Sequence, residues 1–144
     1  MKKMTVVFAG LLAAFAAGAA WCADDAAPTA LIPGYRGVTL ALSGDQLQFL
    51  NKGDHVDAMV TFEAQVKDGK EKVTATILQY VLVLDVVKPA KLDDRGAVEL
   101  VLNPNEAQYL ALSLQKGAVQ LTLRAPGDAA MKPMEMASFR KLFR

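Results

Sequence analysis

The chain reads as an α+β domain, mostly β, with one helix laid on a small mixed sheet, and three stretches carry that reading. Val56, Ala58, Val60, Phe62, Ala64 and Val66 share one parity, while Asp57, Thr61, Glu63 and Gln65 share the other and Met59 is the exception. That alternation is the mark of a half-buried strand. Residues 80–87, Tyr-Val-Leu-Val-Leu-Asp-Val-Val, form the nearly unbroken apolar run that a strand covered on both faces gives. Residues 104–116 then change to a helical period, which places one helix, about Pro104 to Lys116, between the last two strands.

The N-terminus accounts for part of the 53% hydrophobic content. Lys2 and Lys3, an apolar run from Val6 to Phe15 and small residues through Ala20 make a secretory signal peptide over residues 1–23. A membrane span would need about 18 or more apolar residues in a row. Cleavage after Ala20 uses Gly18 and Ala20, and cleavage after Cys22 uses Ala20 and Cys22; either sends the chain to the periplasm. Cys22 is the only cysteine, which excludes an intramolecular disulfide and every cysteine-based metal or redox spacing. A lipidated Cys22 is the lesser reading, because bulky Trp21 stands where a lipoprotein signal has a small residue. The 16 basic residues, less Lys2 and Lys3, leave 14 against 15 acidic ones. A nucleic-acid partner would require a far more basic balance.

The elements follow in order. Residues 24–34, rich in Ala, Asp and Pro, form a flexible leader. Val38, Leu40 and Leu42 alternate in a first strand that stops at the Ser43-Gly44-Asp45 turn. Leu47, Phe49 and Leu50 fill the core from a loop or a single helical turn. Gly53-Asp54 then turns the chain into the strand that begins at Val56. Asp68-Gly69 supplies a hairpin turn, the second arm begins at Val73, and Pro89 ends it. Beyond the charged connection from Lys91 to Gly96, Val98, Leu100 and Leu102 form a short strand.

Asn103 as N-cap, Pro104 at the first helical position and Glu106 three residues after the cap start the helix. Its apolar face is Ala107, Leu110, Ala111 and Leu114, and Lys116-Gly117 supplies a basic last turn and a C-terminal glycine. Val119, Leu121 and Leu123 make the final strand, which residues 125–128 close, so the domain spans residues 35–128.

No catalytic constellation emerges. Asp54 and Asp57 are the first acid–base pair to test, but Asp54 sits in a turn and Asp57 on the polar side of a strand. His55 is the chain's one histidine; without a second ligand of its kind it reads as an exposed turn residue rather than a base or metal ligand. Ser43, Ser113 and Ser138 lack a nucleophile-elbow context, and no glycine-rich phosphate loop precedes the helix. Neither enzyme activity, a metal nor a cofactor is expected.

Residues 129–144 form a basic amphipathic tail. Lys132, Met134, Met136, Phe139, Arg140, Lys141, Phe143 and Arg144 are its candidate partner-binding residues, since Met and aromatic side chains adapt to apolar grooves. An anionic membrane surface is the lesser partner for the same segment. The alternative is a terminal helix packed on its own domain, or a frayed end.

The order of motifs resembles the RcpC/CpaB proteins of Flp (tight-adherence) pilus assembly. Lys52-Gly53-Asp54-His55-Val56-Asp57-Ala58 is similar to that family's Pro-Gly-Asp-x-Val-Asp-Val turn and strand, with Lys52 in place of its proline. Residues 76–84 resemble its Leu-Leu-Gln-Asn-Val-x-Val-Leu segment, and residues 98–124 its strand, helix and strand. The structural motif is thus Gly53, Asp54, Val56, Asp57, Asn103, Pro104, Glu106 and Gly117.

The resemblance implies a non-enzymatic periplasmic assembly factor that binds the outer-membrane secretin or another envelope subunit. Members of the family it resembles usually carry an N-terminal membrane anchor and a preceding β-rich domain of the SAF type. This chain passes from signal peptide through leader to the last domain, so a free accessory form is expected. The alternative is a periplasmic chaperone or a cell-wall or ligand-binding module unrelated to pili.

Overall fold

A computed structural model describes residues 30–67 and 69–143. The expected signal peptide and its cleavage site, Cys22, most of the expected leader, Asp68 and Arg144 lie outside the described residues. In chain order the elements are β1 (Arg36–Ser43), α1 (Gly44–Leu47), β2 (His55–Val66), β3 (Gly69–Val87), β4 (Arg95–Leu102), α2 (Pro104–Lys116), β5 (Gly117–Leu123) and β6 (Ala137–Ser138). A 3-10 helix, Phe139–Phe143, follows. The sheet order is β1-β4-β3-β2-β5, with β6 added to β3.

The α+β class and the helix between β4 and β5 are as the sequence predicts, and β6 follows as a further short strand. The sheet is not mixed, because every pairing among the described residues is antiparallel. The α2 crossover carries the chain past β3 and β2 and delivers β5 antiparallel to β2.

One apolar cluster joins Leu40 and Leu42 of β1, Val56, Ala58 and Val60 of β2, Val81 and Val83 of β3, and Val98, Leu100 and Leu102 of β4. Leu47, Leu50, Leu78, Leu110 and Val119 complete it. Each fully buried side chain of this size contributes about 1.5 to 3 kcal/mol relative to exposure. Phe49, expected inside, is 71% exposed, since Leu47 and Leu50 take the inward positions of that short turn.

The α2 start is the capping box read from the sequence. Asn103 Oδ1 accepts from the N–H groups of Asn105 and Glu106, both at 2.9 Å, and Glu106 Oε2 accepts from Asn103 N–H at 2.8 Å. The expected apolar face is narrower in fact. Leu110 is fully buried, Ala107 half-buried, and Ala111 and Leu114 exposed. Gly117 also has a different role from a left-handed helix cap, for its φ of −169° is extended. The glycine is required by proximity: a Cβ there would overlap the Thr61 carbonyl oxygen on the neighbouring β2.

The hairpin's second arm begins at Gly69, four residues before the expected Val73, and continues unbroken for 19 residues. Strand β3 therefore serves two neighbours, β2 over Gly69–Leu82 and β4 over Leu82–Val87. The stretch before Leu82 projects beyond β4 and has an edge to fill. Within the apolar run, Val83 and Leu84 are both buried while Val87 is 63% exposed. Val83 joins the core cluster whereas Leu84 is buried outside it, and a bulge lies between Val83 and Asp85.

Candidate interaction surface

The turn before β2 is fixed by backbone and carboxylate together. Gly53 takes φ +89°, a left-handed conformation that glycine adopts without steric cost. Asp54 Oδ2 accepts from Asn51 N–H at 2.7 Å, and backbone bonds Gly53 N to Val83 O (2.9 Å) and Val83 N to Asp54 O (2.8 Å) tie the turn to β3.

Asp57 has a larger part than its place on the polar parity suggests. From the Val66 and Gly69 pairing to the His55 and Leu82 pairing, β2 advances 11 residues and β3 advances 13. The two extra residues loosen the ladder near Tyr80, whose φ is +57°. Such an angle costs a bulky residue on the order of 1–2 kcal/mol. Asp57 Oδ1 accepts the Tyr80 N–H at 2.9 Å, and the Tyr80 ring stacks on His55 with centroids 4.0 Å apart. His55 is therefore the first residue of β2 and half-buried under a ring, not an exposed turn residue.

The same Asp57 oxygen takes Arg124 Nη1 at 2.9 Å, and Arg124 Nη2 lies 3.2 Å from Asp128. Burial acts to lower the Arg124 pKa, but its hydrogen bonds to Asp57 and Asp128 outweigh burial and raise it. Arg124 holds Asp128 below the usual carboxylate range. Arg124 Nη2 also donates to Ala130 O, so this residue fixes the point from which the tail departs.

The tail is tied to its own domain along β3 and ends in the short 3-10 helix Phe139–Phe143, not in an α-helix. Gln79 holds Lys132 by both of its backbone groups, Nε2 to the carbonyl at 2.8 Å and Oε1 from the N–H at 3.1 Å. Ala137 and Ser138 pair with Thr74 and Val73. Glu71 Oε1 accepts Arg140 N–H at 2.9 Å. From Gln79 to Glu71, every step back along β3 is matched by an equal step forward along the tail. One antiparallel register thus runs the length of the exposed β3 edge. The Arg140 N–H is the main cause of a Glu71 pKa below its ordinary value.

The tail's apolar side chains face water, among them Met134, Met136, Phe139 and Phe143. Phe139 and Phe143 meet edge to face at 5.2 Å. Lys141 pairs with Glu135, which the lysine holds below its usual pKa.

A second apolar feature lies beside the core. Val60 and Phe62 of β2, Ala75 and Ile77 of β3, and Leu112 of α2 line a groove of about 440 Å³, with Glu63 and Lys116 among its other lining residues. It exists because α2 buries Leu110 and leaves Leu112 59% exposed beside the projecting hairpin.

A family model for the Flp pilus assembly protein RcpC/CpaB matches residues 28–124. The chain belongs to that family. No curated protein and no solved structure was found to match it. The RcpC/CpaB match runs from before β1 to Arg124, and so contains the turn, the hairpin and the strand, helix and strand unit on which the resemblance rested. Among the described residues, no group of three or more His, Cys, Asp or Glu is placed to hold a metal ion, and no helix is long and apolar enough to cross a membrane.

Gly53, Asp54, Val56 and Asp57 converge on one corner of this RcpC/CpaB fold, while Asn103, Pro104, Glu106 and Gly117 frame α2. Lys132 and Arg140 come together with β3, and Lys141 with Glu135. Sequence reading missed the Arg124 anchor, the Gln79 clamp and the groove at Leu112. Arg124 carried one signal, a polar residue continuing the outward parity of a strand; Gln79 carried none.

Proposed function

We propose that this RcpC/CpaB chain is a non-enzymatic, periplasmic assembly factor of a Flp pilus system that binds the outer-membrane secretin or another envelope subunit. Residues 1–23 export it, and residues 35–128 form the working domain.

The observation that carries the docking role is the groove along Phe62, Ile77 and Leu112, an apolar extension of the core left open to solvent. Such a recess suits an apolar anchor from a partner, with the Glu63 and Lys116 charges available to set register.

The test is copurification of the tagged chain from its native envelope, scored for the secretin and other pilus subunits. Leu112→Glu is expected to abolish recovery of the pilus subunit while leaving the melting temperature unchanged. Recovery of no pilus component by the unaltered chain, or equal recovery by L112E, would count against this reading.

A further inference from the structure

We propose that the β3 edge between Glu71 and Gln79 is a strand-binding site that also takes the tail of a second copy of this chain, so that two chains exchange their straps. The site reads main chain rather than side chain. The Gln79 amide holds both backbone groups of Lys132, Val73 and Thr74 pair with Ser138 and Ala137, and the Glu71 carboxylate takes a backbone N–H at Arg140. Strand addition to a sheet edge is recognition of this kind, with main-chain bonds giving affinity and a few side chains giving register.

The occupant is specified by the structure itself, because the segment seen on the edge is the chain's own and any second copy carries the same one. Exchange keeps every contact of the closed form, which makes it a low-cost route to a dimer.

Two further features favour it. The strap leaves through a turn in which Asp128 N–H bonds Ala125 O at 3.1 Å and Gly127 takes φ +79°, and its anchor to the domain at that point is Arg124. Opening this hinge lets the segment, once it leaves β3, reach the same edge of a second chain. In the closed form Met131, Met134, Met136, Leu142 and Phe143 are 52–76% exposed. Two straps crossing between neighbouring chains place such side chains against each other and remove them from water, a gain unavailable to one chain alone.

The experiment is a cysteine pair across the observed register, Thr74→Cys with Ala137→Cys, in the full chain with Cys22→Ser. After oxidation, non-reducing electrophoresis separates a bond within one chain from a bond between two. A covalent dimer is expected, its share rising about tenfold for a tenfold rise in concentration while it remains the minor form. A cross-link confined to single chains at every concentration, or none at all, overturns the proposal.

Deleting residues 126–128 supplies a second reading. A shortened hinge is expected to convert the chain to a dimer with β6 amides still protected from exchange. A monomer with those amides unprotected overturns exchange even if the cysteine variant fails to fold.

Discussion

Arg124, the residue after β5, and Asp57 of β2 meet at 2.9 Å, with side chains only 8% and 16% exposed. A charge so covered is costly when its partner is removed, whatever the pair contributes when intact. Arg124→Ala leaves the Asp57 and Asp128 carboxylates without their cation and frees the tail's point of departure. Asp57→Asn keeps an acceptor for both Arg124 and the Tyr80 N–H. Arg124→Ala is therefore expected to lower the denaturant midpoint clearly more than Asp57→Asn, with unchanged slope. Equal midpoints would show that the pair is idle.

Helix α2 separates burial from capping. Leu110 is fully buried while Leu112 is 59% exposed two residues later. Leu110→Ala is expected to cost about 2 to 5 kcal/mol, and Leu112→Ala about 0.5 kcal/mol or less. Asn103→Ala, which removes the acceptor from two N–H groups, is expected to cost about 1 kcal/mol. Urea unfolding of the three variants gives the order directly.

The contrast within α2 also explains how much was legible in the sequence. Asn103, Pro104 and Glu106 act through neighbours three residues away, and the alternation from Val56 to Val66 encodes which face turns inward; both are local patterns and both are found. Which apolar helix residues meet the core depends on where α2 crosses the sheet, and that is set by partners far along the chain. The same holds for Gln79 and Glu71, whose partners lie 53 and 69 residues away. The Tyr80 conformation was hidden for a related reason. Tyrosine is a good strand former, and only Asp57, 23 residues earlier, holds its N–H out of the ladder.

Gly117 tests a distinction between backbone conformation and space. Its extended φ of −169° suits any residue, so a helix-cap role predicts little loss on substitution by alanine. The overlap of a new Cβ with the Thr61 carbonyl oxygen predicts the opposite, since the obstacle is backbone and cannot rotate away. Gly117→Ala is expected to cost about 1 to 3 kcal/mol, the usual range for overpacking. A thermal melt that leaves the midpoint unmoved would mean that β5 shifts freely against β2.

The strap is expected to respond to acid before the sheet does. Hydrogen bonding by Arg140 N–H lowers the Glu71 pKa from 4.5, and Arg124 lowers that of Asp128 from 3.8. For a depressed carboxylate, the folded form binds fewer protons than the unfolded one, so its stabilisation is complete above the ordinary pKa and is lost as pH falls through the folded value. The Glu71 and Asp128 contributions are thus intact at and above about pH 6 and fade below 4.5 and 3.8 respectively. The buried core of the sheet contains no buried charged or polar residue among the described ones and has no such dependence. Hydrogen exchange is expected to show Ala137 and Ser138 losing protection on acidification while Val81 and Val98 keep theirs. Glu71→Gln, which cannot be charged, is expected to show weaker protection of the strap at pH 7 and a smaller further loss in acid. Loss of protection by strap and sheet at one common pH would show instead that β6 unfolds only with the whole domain.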